Sequence, residues 1–462
     1  MSRIVLLAAA IAVLTGCAHV PVVNERQLLK EASGTQTIRV YGTRGPLSSR
    51  EARKVLARVD AQAPDADALD RHLAVEQIIA RNHPLYVGNS VRVLQDGAQT
   101  FAAMFATMER ARRFLYLEYY TLQNVQSGGR KLSDVLAAKS RAGVRVSVIY
   151  DAIGSLGTPA SFFTGLRAAG VKFVEYNPIS KAPLAVNDRD HRKILIADDE
   201  VAIVGGVNLS TTYESAPAFA HALGGNKQPP PQSAHPIWHD VDLEIRGPVV
   251  PVLARLFRAH WREQQGPPLA PEPVGKETPQ GREIVRVIGS SPAIATRYYT
   301  SVLTAMRTAQ SSIWMTAAYF VPTHQELRAL IAAARRGVDV RIVLPSHSDI
   351  GAILAVQRSY YPRLLAAGIK VYERSDGIVH SKCMVVDDVW SMVGSSNFDQ
   401  RSILFNDEVD VVVLGNKTAD ELRRNMLADI RHGKRITWQI VRRQGALQRM
   451  RGWFWRLWQR LL

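Results

Sequence analysis

The chain is poor in cysteine, in long apolar runs and, toward its end, in acid. Its 462 residues hold two cysteines, Cys17 and Cys383. If Cys17 belongs to a leader, Cys383 stands alone, which excludes a disulfide in the mature chain and a cysteine-built zinc site. Cys383 sits in an apolar run between Lys382 and Asp387, the setting of a buried strand residue and not of a working thiol. No G-x-S-x-G turn occurs, so the nucleophile elbow of the α/β hydrolases is absent. From Arg431 to Leu462 there are nine Lys or Arg and no Asp or Glu. That segment carries about half of the net charge of +17, which calls for an anionic partner, nucleic acid or membrane. With 47% hydrophobic and 21% charged residues the rest has a globular composition, long enough for two domains with sizeable cores.

The N-terminus reads as a processed leader. Arg3 precedes the apolar run Ile4 to Leu14, whose eleven residues are too few to span a bilayer. The run ends in Leu14-Thr15-Gly16-Cys17, which resembles the lipobox of bacterial lipoproteins. That resemblance implies lipidation of Cys17 and an envelope protein facing the periplasm. Ala18 after the cysteine favours sorting to the outer membrane over the inner.

One phrase is written twice. His191-Arg-Lys193 leads through Asp198 to Gly205, Gly206 and Asn208, and His380-Ser-Lys382 through Asp387 to Gly394, Ser395 and Asn397. Both fit H-x-K-x4-D-x6-G-[GS]-x-N, with the two histidines 189 positions apart. The flanking pattern repeats as well. Helix Phe101–Arg112 and strand Phe114–Tyr120 match helix Tyr299–Ala309 and strand Ile313–Phe320. Helix–glycine–strand steps follow at Gly143 and Gly337, then at Gly170 and Gly368. This alternation predicts an α/β sandwich in each half, with a mixed, mostly parallel sheet. The expected organisation is a leader (1–17), an arm joining it to the first half (18–85), a first domain (86–263), a Pro/Gly-rich linker (264–282), a second domain (283–435) and a basic tail (436–462). Ala216 to Pro236, with Pro229-Pro230-Pro231, interrupts the first half as an insertion near the cleft.

Strand alternation puts His191 with Lys193, and His380 with Lys382, on one face. These groups fit phosphoryl transfer: one imidazole attacks phosphorus and the other protonates the leaving oxygen. Lysines and asparagines hold the non-bridging oxygens. The doubled motif resembles the phospholipase D superfamily over about residues 86–435. The resemblance implies two similar phospholipase D-like α/β domains, one active site at their interface, a phosphohistidine intermediate and no metal or other cofactor. His191, Lys193, His380 and Lys382 are then catalytic, Asn208 and Asn397 bind the substrate phosphate, and Asp198 and Asp387 are structural. It also implies a downstream carboxylate orienting each histidine. Glu408 lies 28 residues after His380, and Asp240 lies 49 after His191, beyond the insertion. Gly206 replaces the serine found at Ser395, a lost hydroxyl read as one phosphate contact fewer. Glu118 is a carboxylate in an apolar strand, either lining the cleft or bonding at a strand end. Tyr120 and Tyr319 occupy matching places as core or cleft wall.

Tyr319-Phe-Val-Pro322, Gly394 to Ser402, Asn406-Asp-Glu408 and the approach Asn187 to Lys193 are similar to bacterial cardiolipin synthases. This implies a phosphatidyltransferase acting on phosphatidylglycerol or a similar lipid. A phospholipase D hydrolase releasing phosphatidic acid would use the same groups, and a nuclease would fit the net charge. The tail speaks for lipid over nucleic acid. Leu447, Met450, Phe454, Leu457, Trp458 and Leu461 recur at helical spacing, Arg449, Arg456 and Arg460 take another side, and Trp453, Trp455 and Trp458 suit the headgroup level of an anionic bilayer. Nothing in the sequence speaks to oligomeric state.

Overall fold

The computed structural model describes residues 20–32, 39–60, 66–79, 84–178, 180, 187–214, 238–271, 279–292, 296–348 and 350–460. The leader with Cys17, the whole proline-rich insertion and residues 272–278 of the linker lie outside the described residues.

The two halves build matching sheets. In the first the strand order is Lys172–Tyr176, Arg145–Asp151, Phe114–Tyr119, Lys193–Ala197, Val201–Gly205, Val241–Arg246 and Leu85–Gln95. In the second, Lys370–Arg374, Asp339–Pro345, Ser312–Ala317, Lys382–Val386, Trp390–Gly394, Asn406–Leu414 and Glu283–Ser290 take the same places. Each sheet is mixed, but the expectation of mostly parallel pairing fails. Only the first three strands of each series pair in parallel. They are the ones joined by helical crossovers, with left-handed glycine stops such as Gly143 (φ +87°) and Gly337 (φ +98°). The motif strands are joined by tight hairpins, which force antiparallel neighbours.

Both sheets meet at Leu85–Gln95, which pairs with Val241–Arg246 along residues 90–95 and with Glu283–Ser290 through Tyr86 and Asn89. Glu283 clasps the joint, accepting from the N–H groups of Val91 and Thr418. Beneath it a single apolar core draws Tyr116, Phe257 and Trp261 from the first half and Trp314, Val385 and Val411 from the second. Such a shared core makes the two halves one rigid frame for a site between them.

The arm runs into strand Leu85–Gln95, with which its strand Val40–Gly42 pairs, and it also packs on the second half. Helix Ser49–Asp60 lays Ala52, Leu56 and Val59 into the second-half core, and helix Ala66–Ile79 adds Ala68, Leu69 and Leu73. Buried Glu76 pairs with Arg286 at 2.9 Å and accepts from the Trp390 indole N–H at 2.9 Å. Those partners are more than 200 positions away, so no local periodicity announces them.

Candidate active site

The motif aspartates explain their own spacing. Asp198 and Asp387 open the hairpins after the four-residue strand interiors, at φ +57° and +52°, a conformation aspartate tolerates. The Asp198 carboxylate accepts from the N–H groups of Arg112, Arg113 and Phe114 at 2.7–2.8 Å. Asp387 does the same for Gln310, Ser311 and Ser312, and also holds His72 of the arm at 3.2 Å. Each ties its hairpin to the loop between the preceding helix and strand. The shared glycine has an equally physical cause. A Cβ at Gly205 would meet Asp242 Oδ1 at 2.2 Å, and one at Gly394 would meet Asp410 Oδ1 at 2.0 Å.

Both histidines stand at the N-terminal ends of their motif strands, His191 before Lys193–Ala197 and His380 before Lys382–Val386. Two short parallel ladders carry backbone from one half to the other beside them. Arg189–Asp190 pairs with Asn406–Asp407, and Trp238–His239 with Ile378–Val379. The His191 N–H then donates to Asp407 O, and that of His380 to His239 O. The residue after each accepting carbonyl is a carboxylate, delivered to the histidine of the opposite half. His191 Nδ1 lies 3.0 and 3.1 Å from the Glu408 oxygens, and His380 Nδ1 lies 2.7 Å from Asp240 Oδ2. The within-half pairing suggested by sequence order is therefore crossed.

Each lysine stays beside its histidine. Lys193 Nζ donates to His191 O at 2.6 Å, and Lys382 Nζ lies 2.9 Å from His380 Nδ1. Asn208 Oδ1 accepts from Thr121 N–H at 3.2 Å, whereas buried Asn397 Oδ1 has no hydrogen-bond partner among the described residues. Tyr120 and Tyr319 stand edge-on to His191 and His380, at 5.4 and 6.5 Å, as walls.

The serine that Gly206 lacks has a role other than the one expected of it. Ser395 Oγ donates to Glu408 Oε2, and Asn406 Nδ2 donates to the other oxygen at 3.0 Å. In the first half this place belongs to Asp240 itself, because a Cβ on Gly206 would sit 2.1 Å from Asp240 Oδ1. The hydroxyl comes from Tyr213 instead, 3.1 Å from Asp240 Oδ2 and 2.9 Å from His380 Nδ1. Sequence reading missed Tyr213, which belongs to no repeated pattern.

A second buried network backs His191. Arg192 donates to Glu118 Oε1 at 3.1 Å, Asp407 Oδ1 at 3.2 Å and the carbonyls of Glu408 and Ser290. His260 Nδ1 lies 2.8 Å from the same Glu118 oxygen. Glu118, next to last in strand Phe114–Tyr119, thus bonds at a strand end and does not line the cleft; it is an internal counter-ion. Glu118, Asp190 and His260 approach one another closely enough to hold a metal. The Arg192 guanidinium already supplies positive charge there. Cys383 is buried and its thiol is pushed up to about 12 by burial, which leaves it inert.

Burial dominates the electrostatics. It lowers His191 to about 4, opposed by Glu408 and reinforced by Lys193, and it lowers His380 together with Lys382 against Asp240. Lys193 falls to about 7, again chiefly by burial. Burial works to raise Glu408 and Asp240, but His191 beside the first and Lys382 and His380 beside the second outweigh it and keep both low. At neutral pH the site therefore holds two neutral imidazoles against two carboxylates.

Two imidazoles, each with Nδ1 committed to a buried carboxylate and a lysine alongside, are the equipment of a phosphodiester-transferring enzyme. A family model described as cardiolipin synthase, PLD-like domain, matches residues 104–216 and 302–430. The chain belongs to this family, within the phospholipase D superfamily. It is 35% identical over 369 residues to a cardiolipin synthase of Geobacillus kaustophilus (strain HTA426), covering 77% of this chain and 69% of that protein. To a cardiolipin synthase of Halalkalibacterium halodurans it is 32% identical over 390 residues, covering 81% and 71%. The crystal structure of a phosphatidylserine synthase from Haemophilus influenzae Rd KW20 aligns with TM-score 0.60 at 12% identity, covering 89% of this chain and all of that one, and shows the same fold.

Proposed function

We propose that the protein moves a phosphatidyl group from one phospholipid to the hydroxyl of another, as a cardiolipin synthase-like phosphatidyltransferase. The observation that carries this is the crossed pairing: each Nδ1 is occupied by a carboxylate, so the chemistry falls to Nε2 of both rings. Nε2 of one histidine attacks phosphorus and forms a phosphohistidine while the other histidine gives its proton to the departing alcohol oxygen. The second histidine then takes the proton of the acceptor hydroxyl, whose oxygen attacks phosphorus and frees the first. Lys193, Lys382, Asn208 and Asn397 hold the phosphate oxygens. Asp240 and Glu408 orient the rings and stabilise whichever becomes imidazolium.

The low proton affinity of the two histidines supports a further step. One histidine must be protonated to act as acid, and the phosphodiester anion restores the charge that favours that proton. Substrate binding at neutral pH is accordingly expected to take up a proton.

In this reading the chain is anchored through lipidated Cys17 on the periplasmic side of a bacterial envelope, with the outer membrane favoured. Residues 86–263 and 283–435 form the paired domains, and the basic tail rests on anionic bilayer. No helix among the described residues is long and apolar enough to cross a membrane, so attachment in this reading rests on lipid anchor and surface. The test is product analysis with phosphatidylglycerol vesicles and a metal chelator. Cardiolipin and glycerol are expected, with turnover abolished in folded His191→Ala and in folded His380→Ala. Phosphatidic acid as the only product would make the protein a hydrolase, and turnover in either folded variant would overturn the two-histidine mechanism.

A further inference from the structure

The tail helix Ala446–Arg456 is held to the body by an unexpected face. Gly452 packs so closely that a Cβ there would lie 2.8 Å from Ala355 O on helix Gly351–Ala366. Trp455, which falls off the apolar stripe, is the residue that packs against the core. Beyond it the Tyr360 hydroxyl donates to Gln459 Oε1 at 2.9 Å, and the Arg456 guanidinium lies 5.1 Å from the Tyr360 ring centroid. With that face spent, Met450, Trp453, Phe454, Leu457 and Trp458 remain 40–64% exposed. The side chains of Leu447, Arg449 and Leu461 are outside the described residues.

Between helices Gly351–Ala366, Trp438–Arg443 and Ala446–Arg456 runs a groove of about 630 Å³, within the size range of ligand sites. Leu354, Pro362 and Val441 contribute apolar lining, and exposed Trp438 and Trp453 flank it. Arg442 and Arg451 also line the groove; both are exposed, with no ion-pair partner among the described residues.

This combination selects its occupant. A second copy would set one tail of six cations and no acid against another. A nucleic acid would satisfy the arginines but leave the apolar stripe in water, and an uncharged apolar partner would do the reverse. An anionic phospholipid in a bilayer satisfies both. We infer that the groove binds one such lipid, with its phosphate on Arg442 and Arg451, part of an acyl chain along Leu354, Pro362 and Val441, and Trp438 and Trp453 at headgroup level. Helix Gly351–Ala366 starts beyond the Pro345 end of its strand. That strand is parallel to Ser312–Ala317, which is antiparallel to Lys382–Val386, so the helix begins at the sheet end that carries His380. A lipid held here turns that end toward the bilayer. The inference shares with the proposed transfer reaction only the premise that the protein works at a membrane.

The test is tryptophan fluorescence of the full chain on phosphatidylcholine vesicles holding a minority of phosphatidylglycerol, with bromine on the acyl chains of one lipid or the other at equal bromine content. Brominated phosphatidylglycerol is expected to quench more than brominated phosphatidylcholine. Arg442→Gln/Arg451→Gln should bring the two to parity, and Trp438→Phe/Trp453→Phe should remove the selectively quenched emission. Equal quenching in the unaltered protein, or a preference unchanged in the arginine variant, overturns the inference. Turnover of a soluble short-chain phosphatidylglycerol should be unaffected by the arginine changes. Its absence from the unaltered protein would count against the transferase reading and leave the groove standing.

Discussion

Replacing Gly206 by serine, the residue at the matching place in the second half, is expected to damage the enzyme and not complete it. A Cβ at Gly206 would lie 2.1 Å from Asp240 Oδ1 and 2.7 Å from its Cγ. The carboxylate cannot swing aside freely. Val241 N–H holds Oδ1 at 2.9 Å, and the Tyr213 hydroxyl and His380 Nδ1 hold Oδ2 at 3.1 and 2.7 Å. Relieving the contact means moving Asp240 by about 1 Å, and such overpacking costs about 1–3 kcal/mol. His380 would follow, and a displacement of about 1 Å at a reacting group costs on the order of 100-fold in rate. Gly206→Ala carries the same Cβ without a hydroxyl and should lose as much as Gly206→Ser. The mirror change, Ser395→Gly, opens space and removes one hydrogen bond to Glu408, worth about 1.5–3 kcal/mol. Phosphatidyl transfer in vesicles and thermal melting read all three. Wild-type turnover and Tm in Gly206→Ser would refute the steric argument. A gain in Gly206→Ser but not in Gly206→Ala would mean that the missing hydroxyl is a phosphate ligand after all.

Crossed pairing predicts crossed titration: Glu408→Gln should lower the pKa of His191, and Asp240→Asn that of His380, followed by NMR of the ring protons. Each change acting instead on the histidine of its own half would refute the pairing. His191 is lowered to about 4 in the folded protein, against about 6.5 when unfolded, so the unfolded chain binds the extra proton between those values. Stability is therefore complete above that window and falls as pH drops through it, by about 3 kcal/mol. Urea unfolding should show this slope flattened in His191→Gln, and an unchanged slope would contradict it. Asp198→Ala and Asp387→Ala each strip the acceptor from three backbone N–H groups, at about 1–3 kcal/mol for each one left buried and unpaired. Both should lower Tm markedly while sparing turnover at temperatures where they remain folded, and a catalytic loss without a thermal one would assign these aspartates to the chemistry.

Much of the protein was legible in its residues alone, because the informative features are local. The doubled motif identifies both histidines and both lysines, glycine stops mark the helix ends, and the family resemblance that the motif carries marks both aspartates as structural. Relations between distant segments were not legible. Sequence order pairs Asp240 with His191 and Glu408 with His380, but the parallel ladders at Arg189–Asp190 and Trp238–His239 exchange the partners. Contacts between residues 140 and 217 positions apart leave no mark on local periodicity. The same holds for the arm, whose Glu76 finds Arg286 only after folding, and for Tyr213, whose hydroxyl stands where the repeat lacks one. Composition made the tail basic and amphipathic, but which face meets the body was decided by close packing at Gly452 and Trp455. Periodicity along a helix states that two faces differ; only the surface it packs against determines which of them is left exposed.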